Sequence, residues 1–155
     1  MKKDSADVIA RPPVIYIIPI IIAYIINKYI FELKILNNKY IGDVVGWPLF
    51  IIGLFLAGWV SLIFFKEKED VRPEKPTTKI IIKGPFKFSR NPIYLGLNLG
   101  YIGIALILNN LWMIVFLPII FTLLYYGVIL KEEEYLEKKF GKKYLDYKKK
   151  VRRWI

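Results

Sequence analysis

Four long apolar stretches, separated by polar and charged segments, dominate the pattern of this chain. They cover residues 14–31, 44–65, 92–108 and 111–130. Each comes close to the ~20 apolar residues that an α-helix needs to cross the hydrocarbon core of a bilayer. The pattern predicts an all-α, polytopic membrane helical bundle with about four transmembrane helices. Residues 131–155 are charged but keep apolar side chains at helical spacing, which predicts a C-terminal amphipathic cytoplasmic helix.

The last two stretches are predicted to form a helical hairpin. No charged residue occurs between Arg90 and Lys131, and Asn109 and Asn110 lie near the middle of this run. A helix that crosses the membrane and a helix that returns bring both ends of the run to the same membrane face. The hairpin therefore predicts one polar pocket, built from the residues around Arg90 and those around Glu132.

Small residues predict how two of the helices pack. They recur as Gly53, Ala57 and Ser61 in the second stretch and as Gly96, Gly100 and Gly103 in the third. Small side chains on one helix face let two backbones approach closely in lipid. The two faces are expected to pack together, although glycine is also frequent in membrane helices in general.

Prolines mark helix positions. Pro48 is expected in the first turn of the second helix and Pro92 in the first turn of the third, with Asn91 as its cap. Pro19 lies inside the first stretch and is expected to kink that helix.

The composition fits a membrane protein and excludes some chemistry. Hydrophobic residues make up 55% of only 155 residues, which leaves too little polar surface to cover a soluble globule. This length suits a single domain, residues 1–155. The chain has no cysteine and no histidine, so thiolate chemistry, the usual neutral-pH base and the commonest metal ligands are excluded, and no metal site is predicted.

The basic residues predict an orientation. Eight Lys and Arg residues lie between Lys66 and Arg90, ten lie from Lys131 onward, and none lies near Asn109. The positive-inside rule assigns the two basic regions, and with four spans also the N-terminus, to the cytoplasm. The net charge of +11 then suits anionic lipid headgroups, and no nucleic-acid partner is expected.

Residues 66–83 connect the second and third stretches. They contain Pro73 and Pro76 and end in the β-branched run 77–82 before Gly84. This segment is expected to be extended and then to turn sharply. It is either a plain connector or the cover of a pocket, and no chemistry is assigned to it.

Two groups of ionisable residues are candidates for binding. Arg90 and the free N–H groups of the following helix start could hold a carboxylate, or Arg90 could bond a headgroup phosphate. Glu132, Glu133 and Glu134 repel one another and need a cationic partner. That partner is either a lysine of the same helix or a positively charged ligand, with a hydroxyl-rich sugar as a further option.

These residues resemble the motifs of a known family. The first motif reads Gly84-Pro85-Phe86-Lys87 and Arg90-Asn91-Pro92-Ile93-Tyr94-Leu95-Gly96, and the second runs from Glu132-Glu133 through Leu136, Phe140-Gly141, Tyr144, Tyr147 and Val151. Together, over residues 84–154, they resemble the integral membrane methyltransferases that include isoprenylcysteine carboxyl methyltransferase and the phospholipid N-methyltransferases. Asn91 stands where that family usually has a histidine. Lys150 stands where the carboxyl-methylating branch has an arginine.

The resemblance implies a pocket for S-adenosylmethionine between the Arg90 turn and the C-terminal tail. The cofactor-binding residues that it implies are Gly84, Phe86, Arg90, Asn91, Pro92, Tyr94, Gly96, Glu132, Glu133, Phe140 and Tyr144. A carboxylate from Glu132 or Glu133 suits the cationic sulfonium and ammonium of the cofactor, and Arg90 suits its carboxylate. Because Glu132 and Glu133 point about 100° apart on a helix, only one of them is expected to face inward.

The implied acceptor is a lipid-like or prenylated molecule that enters from the bilayer, and Glu133 and Arg153 are the candidate catalytic residues. A carboxylate acceptor needs a cation such as Arg153 or Lys150, whereas an amine acceptor loses a proton, which Glu133 could accept. Because the chain lacks histidine, the isoprenylcysteine-type carboxylate acceptor is preferred and a phospholipid amine is the alternative. Methyl transfer depends mainly on alignment and on exclusion of water.

Two other classes of protein compete with this interpretation. NADPH-dependent membrane reductases combine acidic and aromatic residues in similar tails, but they are usually longer and carry Cys or His patterns that are missing here. A non-catalytic helical scaffold is favoured if the clusters around Arg90 and Glu132 only pair with each other.

Overall fold

The computed structural model describes residues 4–155, which form helices and loops without a β-strand. The helices are α1 (Pro12–Tyr29), α2 (Lys39–Lys66), α3 (Pro92–Ile107), α4 (Leu111–Leu124), α5 (Leu130–Phe140) and α6 (Lys142–Lys150). A 3₁₀ turn (Gly84–Lys87) precedes α3, and a π-helical turn (Tyr125–Ile129) joins α4 to α5 without a break. The predicted all-α membrane fold is confirmed.

Three helices within residues 4–155 are long and apolar enough to cross a membrane: α1, α2 and the continuous helix Leu111–Phe140. The third predicted span, α3, is apolar but has 16 residues. At 1.5 Å per residue α3 is about 24 Å long, shorter than the ~30 Å hydrocarbon core. Three helices therefore have the length expected of a span, and α3 is a shorter apolar helix.

The small residues bring α2 and α3 together as antiparallel neighbours. A Cβ atom added to Gly53 would lie 2.5 Å from the carbonyl oxygen of Gly96, and one added to Gly46 would lie 2.8 Å from that of Gly103. Such distances leave no room for a side chain, so glycine is required at these crossings. The predicted packing of the two helices is confirmed, except that Ser61 is exposed and lies outside the contact.

The turn between α3 and α4 lies at one end of the bundle and is held by hydrogen bonds of two asparagine side chains. Asn109 has a positive φ of 48° and accepts hydrogen bonds from the backbone N–H groups of Ile35 and Leu36. Asn110 is 1% exposed, caps α4 through the N–H of Trp112, and donates to the carbonyl of Ala23 in α1. The predicted hairpin is confirmed, and we call this end of the molecule the turn end.

Two helix starts differ from expectation. The second helix begins at Lys39, where the Asn38 side chain accepts from the N–H of Tyr40, so Pro48 lies inside the helix and not in its first turn. Pro92 does begin α3, but its predicted cap Asn91 makes no capping hydrogen bond with its side chain. That side chain bonds elsewhere, as described below.

The C-terminal tail forms two short helices separated by Gly141, whose φ of 51° favours glycine. Beyond this break, Tyr144, Tyr147 and Val151 form a buried cluster against Leu136, Phe140 and Ile80. The expected amphipathic stripe is present. It packs against the protein itself.

Candidate functional site

One cavity lies at the end of the bundle opposite the turn end, and we call this end the site end. Its walls are the loop 67–83, the start of α3, α5 and the first turns of α6. The cavity, with its open mouth included, has a volume of about 880 Å³. Eight predicted site residues line it: Phe86, Arg90, Asn91, Pro92, Tyr94, Glu132, Glu133 and Tyr144.

The C-terminal segment, residues 151–155, anchors the start of α3, which lines the cavity. The N–H of Arg90 donates to the carbonyl of Arg152 over 3.0 Å. Ser89 Oγ and Asn91 Nδ2 both donate to the carbonyl of Arg153, over 3.2 and 3.0 Å. Asn91 therefore ties the start of α3 to the C-terminal segment, which explains why its side chain does not cap the helix.

Glu133 is the centre of a positively charged cluster. Arg153 donates two hydrogen bonds to it, Nε to Oε1 and Nη2 to Oε2, each over 2.9 Å. Lys148 Nζ lies 3.7 Å from Oε2. Arg153 also donates to the hydroxyl of Tyr125, and the bond to Glu133 raises the pKa of Arg153. Glu133 is thus neutralised by cations from the tail.

Arg90 is buried at the cavity wall with unused hydrogen-bonding capacity. Its side chain is 8% exposed, and its Nη1 lies 3.2 Å from Glu133 Oε1. Even so, neither Nε nor Nη1 has a hydrogen-bond partner within the described part of the chain. A buried donor without a hydrogen bond costs about 1–3 kcal/mol, so the ion pair with Glu133 leaves part of the hydrogen-bonding capacity of Arg90 unused.

Glu132 lines the cavity as Glu133 does, so the expectation that only one of the two carboxylates faces inward is wrong. The surroundings of the two carboxylates differ. Its Oε1 accepts a hydrogen bond from the Tyr94 hydroxyl over 2.9 Å. No Lys or Arg nitrogen of residues 4–155 lies within 4.0 Å of its carboxylate, whereas Glu133 has three such partners. The adjacent carboxylates therefore differ: Glu133 is paired with cations of the protein, whereas Glu132 has the Tyr94 hydroxyl as its partner and no cation beside it.

Two tyrosines of α6 complete the aromatic wall. The Tyr147 hydroxyl donates to the carbonyl of Phe86 over 2.7 Å. Burial raises the pKa of Tyr147 to about 12. Burial also raises the pKa of Tyr144, and the Glu133 carboxylate raises it further, whereas Arg90 opposes this effect. Both hydroxyls therefore stay protonated at neutral pH and can act as hydrogen-bond donors.

Comparison with known proteins supports the motif resemblance. A family model described as phospholipid methyltransferase matches residues 41–143, which is 103 of the 155 residues. The chain belongs to the phospholipid methyltransferase family. The matched region contains the Arg90 turn, Glu132 and Glu133. Comparisons with curated proteins and with solved structures gave no significant match.

Membership of the phospholipid methyltransferase family indicates a methyltransferase and agrees with the apolar helices of an integral membrane protein. It confirms the family that the two motifs predicted. The match does not specify the acceptor.

Four predicted site residues lie outside the cavity lining of this phospholipid methyltransferase family member. Gly84 has a φ of 56° and lies against Ile63 and Trp59 of α2, and Gly96 faces Gly53. Phe140 belongs to the cluster around Tyr144. Arg153 contacts Glu133 from the side of the C-terminal segment. The predicted binding or catalytic roles of these four residues stay predictions. The contacts of Gly84, Gly96 and Phe140 indicate a role in packing, and those of Arg153 indicate that it positions Glu133.

Sequence reasoning assigned no chemistry to a large part of the cavity wall. Residues 70–73, Thr77 and 79–81 of the loop all line it, together with Tyr135 of α5 and Ala6 near the N-terminus. The mixture of charges and β-branched residues in residues 66–83 was the available signal. It left open whether the loop is a connector or a cover, and in the structure the loop is a cover.

Proposed function

We propose that this single-domain protein transfers a methyl group from S-adenosylmethionine to a lipid acceptor at the membrane. The observation that carries the proposal is Arg90, a buried guanidinium at a cavity wall with two nitrogens that make no hydrogen bond, although Nη1 lies 3.2 Å from the Glu133 carboxylate. Family membership supplies the reaction type.

The residues present fit this cofactor. Its carboxylate matches the unpaired Nε and Nη1 of Arg90, which is a charge-assisted pairing. Its cationic groups match Glu132, the lining carboxylate without a cation of its own. Its aromatic base finds Phe86 and Tyr144 in the wall. When bound, S-adenosylmethionine supplies an electrophilic methyl group.

The protein contributes to the reaction by holding the reactants in position and by excluding water. Arg153 holds Glu133 by two hydrogen bonds, and Asn91 anchors the start of α3 to the C-terminal segment, so the wall around Arg90 is rigid. The loop 67–83 covers the cavity and excludes water from it. Holding reactants in alignment is the main requirement of a methyl displacement. Arg153 therefore acts as a positioning residue, through Glu133.

The cavity favours an amine acceptor over the carboxylate preferred from sequence. The carboxylate preference relied on Arg153 or Lys150 as a free cation. Arg153 is held by Glu133 and Tyr125, and Lys150 is exposed and does not line the cavity. Glu132, in contrast, can attract an ammonium group and accept a proton from it. We therefore place a lipid with an amine headgroup first and a prenylated carboxylate second.

The cofactor assignment is tested by calorimetry with S-adenosylmethionine in detergent. Arg90→Gln is expected to weaken binding at least about tenfold, because hydrogen bonds between charged groups are lost. Its melting temperature is expected not to fall, since Glu133 keeps Arg153 and Lys148 as partners. Arg152→Gln, which changes an exposed neighbour in the tail, is the matched control. Equal affinity in wild type and Arg90→Gln would contradict the assignment.

The acceptor is tested by transfer of labelled methyl groups to two lipids in mixed micelles. Phosphatidylethanolamine presents an amine, and a farnesylated cysteine presents a carboxylate. The proposal expects the amine to be the better acceptor and Glu132→Gln to reduce its methylation more than cofactor binding. Preferential methylation of the carboxylate would restore the preference drawn from sequence. A protein that binds NADPH instead would be a reductase, and one that binds neither ligand would be a scaffold.

We also propose that the site end faces the cytoplasm, as do both termini. The basic residues of the loop 67–83 and of the tail all lie at this end, and basic segments favour the cytoplasmic side. The chain has no cysteine, so one introduced at Lys142 is a unique label. Labelling of intact cells by an impermeant reagent at this position would contradict the orientation.

A further inference from the structure

One wall of the cavity is held weakly. Residues 70–77, which we call the flap, cover the cavity, and no residue from 70 to 79 is buried. The base of the flap is closed by the N–H of Thr78, which donates to Glu69 Oε2 over 3.0 Å. The C-terminal segment is held differently, because Val151 is 8% exposed and Trp154 packs against the main core. A segment with few buried contacts opens at lower free energy than its surroundings.

Within the described chain the flap has three polar tethers to other parts of the protein. They are Thr77 N to Tyr135 Oη (3.1 Å), Ala6 N to the carbonyl of Pro73 (3.3 Å) and Arg11 Nε to Glu74 Oε1 (2.7 Å). Two tethers thus come from residues 4–11, which we call the N-terminal segment, and the third from a single hydroxyl on α5.

The N-terminal segment is itself fastened at the same hydroxyl. Tyr135 Oη lies 3.2 Å from Asp4 Oδ1, and Lys139 Nζ lies 2.8 Å from that carboxylate. Further along, the N–H of Ile9 donates to the carbonyl of Gly127 over 3.0 Å. The Tyr135 hydroxyl therefore joins the flap, the N-terminal segment and α5 at one point, next to the cavity that Tyr135 and Ala6 both line.

We infer that the flap and the N-terminal segment form a gate over the cavity, latched by the hydroxyl of Tyr135. The gate opens by release of the three tethers, while the C-terminal segment stays in place because it carries the bonds from Arg90, Asn91 and Ser89. The identity of the ligand that passes rests on the proposed function. The opening itself does not, and it can be measured without any ligand.

The first experiment measures opening by cysteine labelling, since the native chain has no cysteine. Ile93→Cys places a thiol on the cavity floor, and Leu136→Cys on α5 serves as a second reporter. Each is labelled in detergent with a charged maleimide. Tyr135→Phe is expected to raise the labelling rate about two- to tenfold, the equivalent of one lost hydrogen bond. Arg11→Gln is expected to raise it in the same direction.

Two controls make the labelling result specific. Tyr126→Phe removes the hydroxyl of an exposed tyrosine, and the labelling rate should not change. A thiol at exposed Lys142 should react at the same rate in every variant. Unchanged labelling at both reporter sites in Tyr135→Phe and Arg11→Gln would overturn the gate. An equal increase of the labelling rate in Tyr126→Phe would also overturn the gate, because the effect would then be global and not specific to the Tyr135 hydroxyl. This holds even if the melting temperature of Tyr126→Phe is lowered.

The second experiment measures exchange of tritiated S-adenosylmethionine. If the gate limits exchange, Tyr135→Phe raises the association rate and the dissociation rate by a similar factor. Kd then stays within about twofold, because the ligand needs an open gate both to enter and to leave. A changed Kd with an unchanged dissociation rate would contradict the gate. If the wild type binds no S-adenosylmethionine, the proposed function fails, while the labelling experiment still decides the gate.

Discussion

The two ends of this helical bundle both bury polar side chains, but they satisfy them differently. At the turn end, each side-chain oxygen and nitrogen of Asn109 and Asn110 has a backbone partner. At the site end, Arg90 is nearly buried, yet two of its nitrogens have no partner in the described chain, and Glu132 has only a hydroxyl. The hydrogen bonds at the turn end close a turn. The polar side chains at the site end keep unused hydrogen-bonding capacity in the wall of a cavity.

This difference separates a structural polar cluster from a binding site. Buried polar groups in native proteins are nearly always hydrogen-bonded, and the exceptions need an explanation. At the turn end nothing remains to be explained. At the site end Arg90 lines a cavity, and the ligand that we propose for this cavity would account for its unused hydrogen-bonding capacity. Variants at each end should therefore separate stability from ligand affinity.

The largest effect is expected for Glu133→Gln. Removing this carboxylate leaves Arg90, Arg153 and Lys148 close together without a counter-charge, and breaking buried ion pairs in this way costs about 3 kcal/mol. Denaturation in mixed detergent measures the loss. Glu134→Gln, which removes an exposed carboxylate paired with Lys138, should change stability by less than about 0.5 kcal/mol. Equal stability of the two variants would mean that the cluster does not hold the site end together.

The next effect concerns the crossing of α2 and α3, which connects the two ends. Gly53→Ala places a methyl group against the backbone of Gly96 and Gly100, and such overpacking costs about 1–3 kcal/mol. Gly46→Ala does the same near the turn end, against Gly103. Both should lower the melting temperature. Only Gly53→Ala should also weaken S-adenosylmethionine binding, because Gly96 lies one turn from the cavity.

Gly58→Ala is the control for this pair, because its added Cβ meets nothing within 4 Å. It should be neutral or slightly stabilising, since alanine is favoured over glycine in a helix by up to about 1 kcal/mol. A destabilised Gly58→Ala would show that the cost arises from something other than the crossing.

A smaller effect is expected at the turn end. Asn110→Ala removes the cap of α4 and the bond to Ala23, at a cost of about 2 kcal/mol. Asn110→Ser retains a capping oxygen and should recover about half of that loss. Neither should alter the affinity of the folded protein for S-adenosylmethionine. Weaker binding in Asn110→Ser at unchanged stability would contradict the separation of the two ends.

The smallest effect is a pH dependence in the loop 67–83. Hydrogen bonds from Lys79 and Lys83 lower the pKa of the half-buried Glu67 to about 2. Because this value lies below the ordinary 4.5, the contribution to loop order is present above about pH 4.5 and is lost as the pH falls toward 2. Pepsin cleavage of the loop, compared between wild type and Glu67→Gln, measures it. The wild type should be better protected at pH 4.5, and the difference should vanish near pH 2.

Much of the fold could be predicted from sequence because the bilayer imposes a simple local rule. The uncharged run of residues 91–130 has a length that only a helical hairpin accommodates. The sequence therefore predicts that Arg90 and Glu133 lie at the same end of the bundle. In the structure the Arg90 guanidinium lies 3.2 Å from the Glu133 carboxylate. The start of α2 was missed because Pro48 is tolerated inside a membrane helix as well as in a first turn.

The division of roles at the site could not be predicted in the same way. Helical geometry allowed either Glu132 or Glu133 to face the ligand, and the choice depends on Arg153, twenty residues further along. Nothing local in the sequence links the flap to residues 4–11 either. Such contacts join segments that are distant along the chain.

The sequence by itself determined the helical class, the hairpin and the meeting of its two charged ends, because each follows from periodicity and from the thickness of a bilayer. Only the tertiary structure decided which carboxylate is neutralised, which guanidinium nitrogens stay unpaired and what covers the cavity. Those outcomes depend on how non-adjacent segments pack, and a pairwise distance between such segments is not encoded in any local pattern.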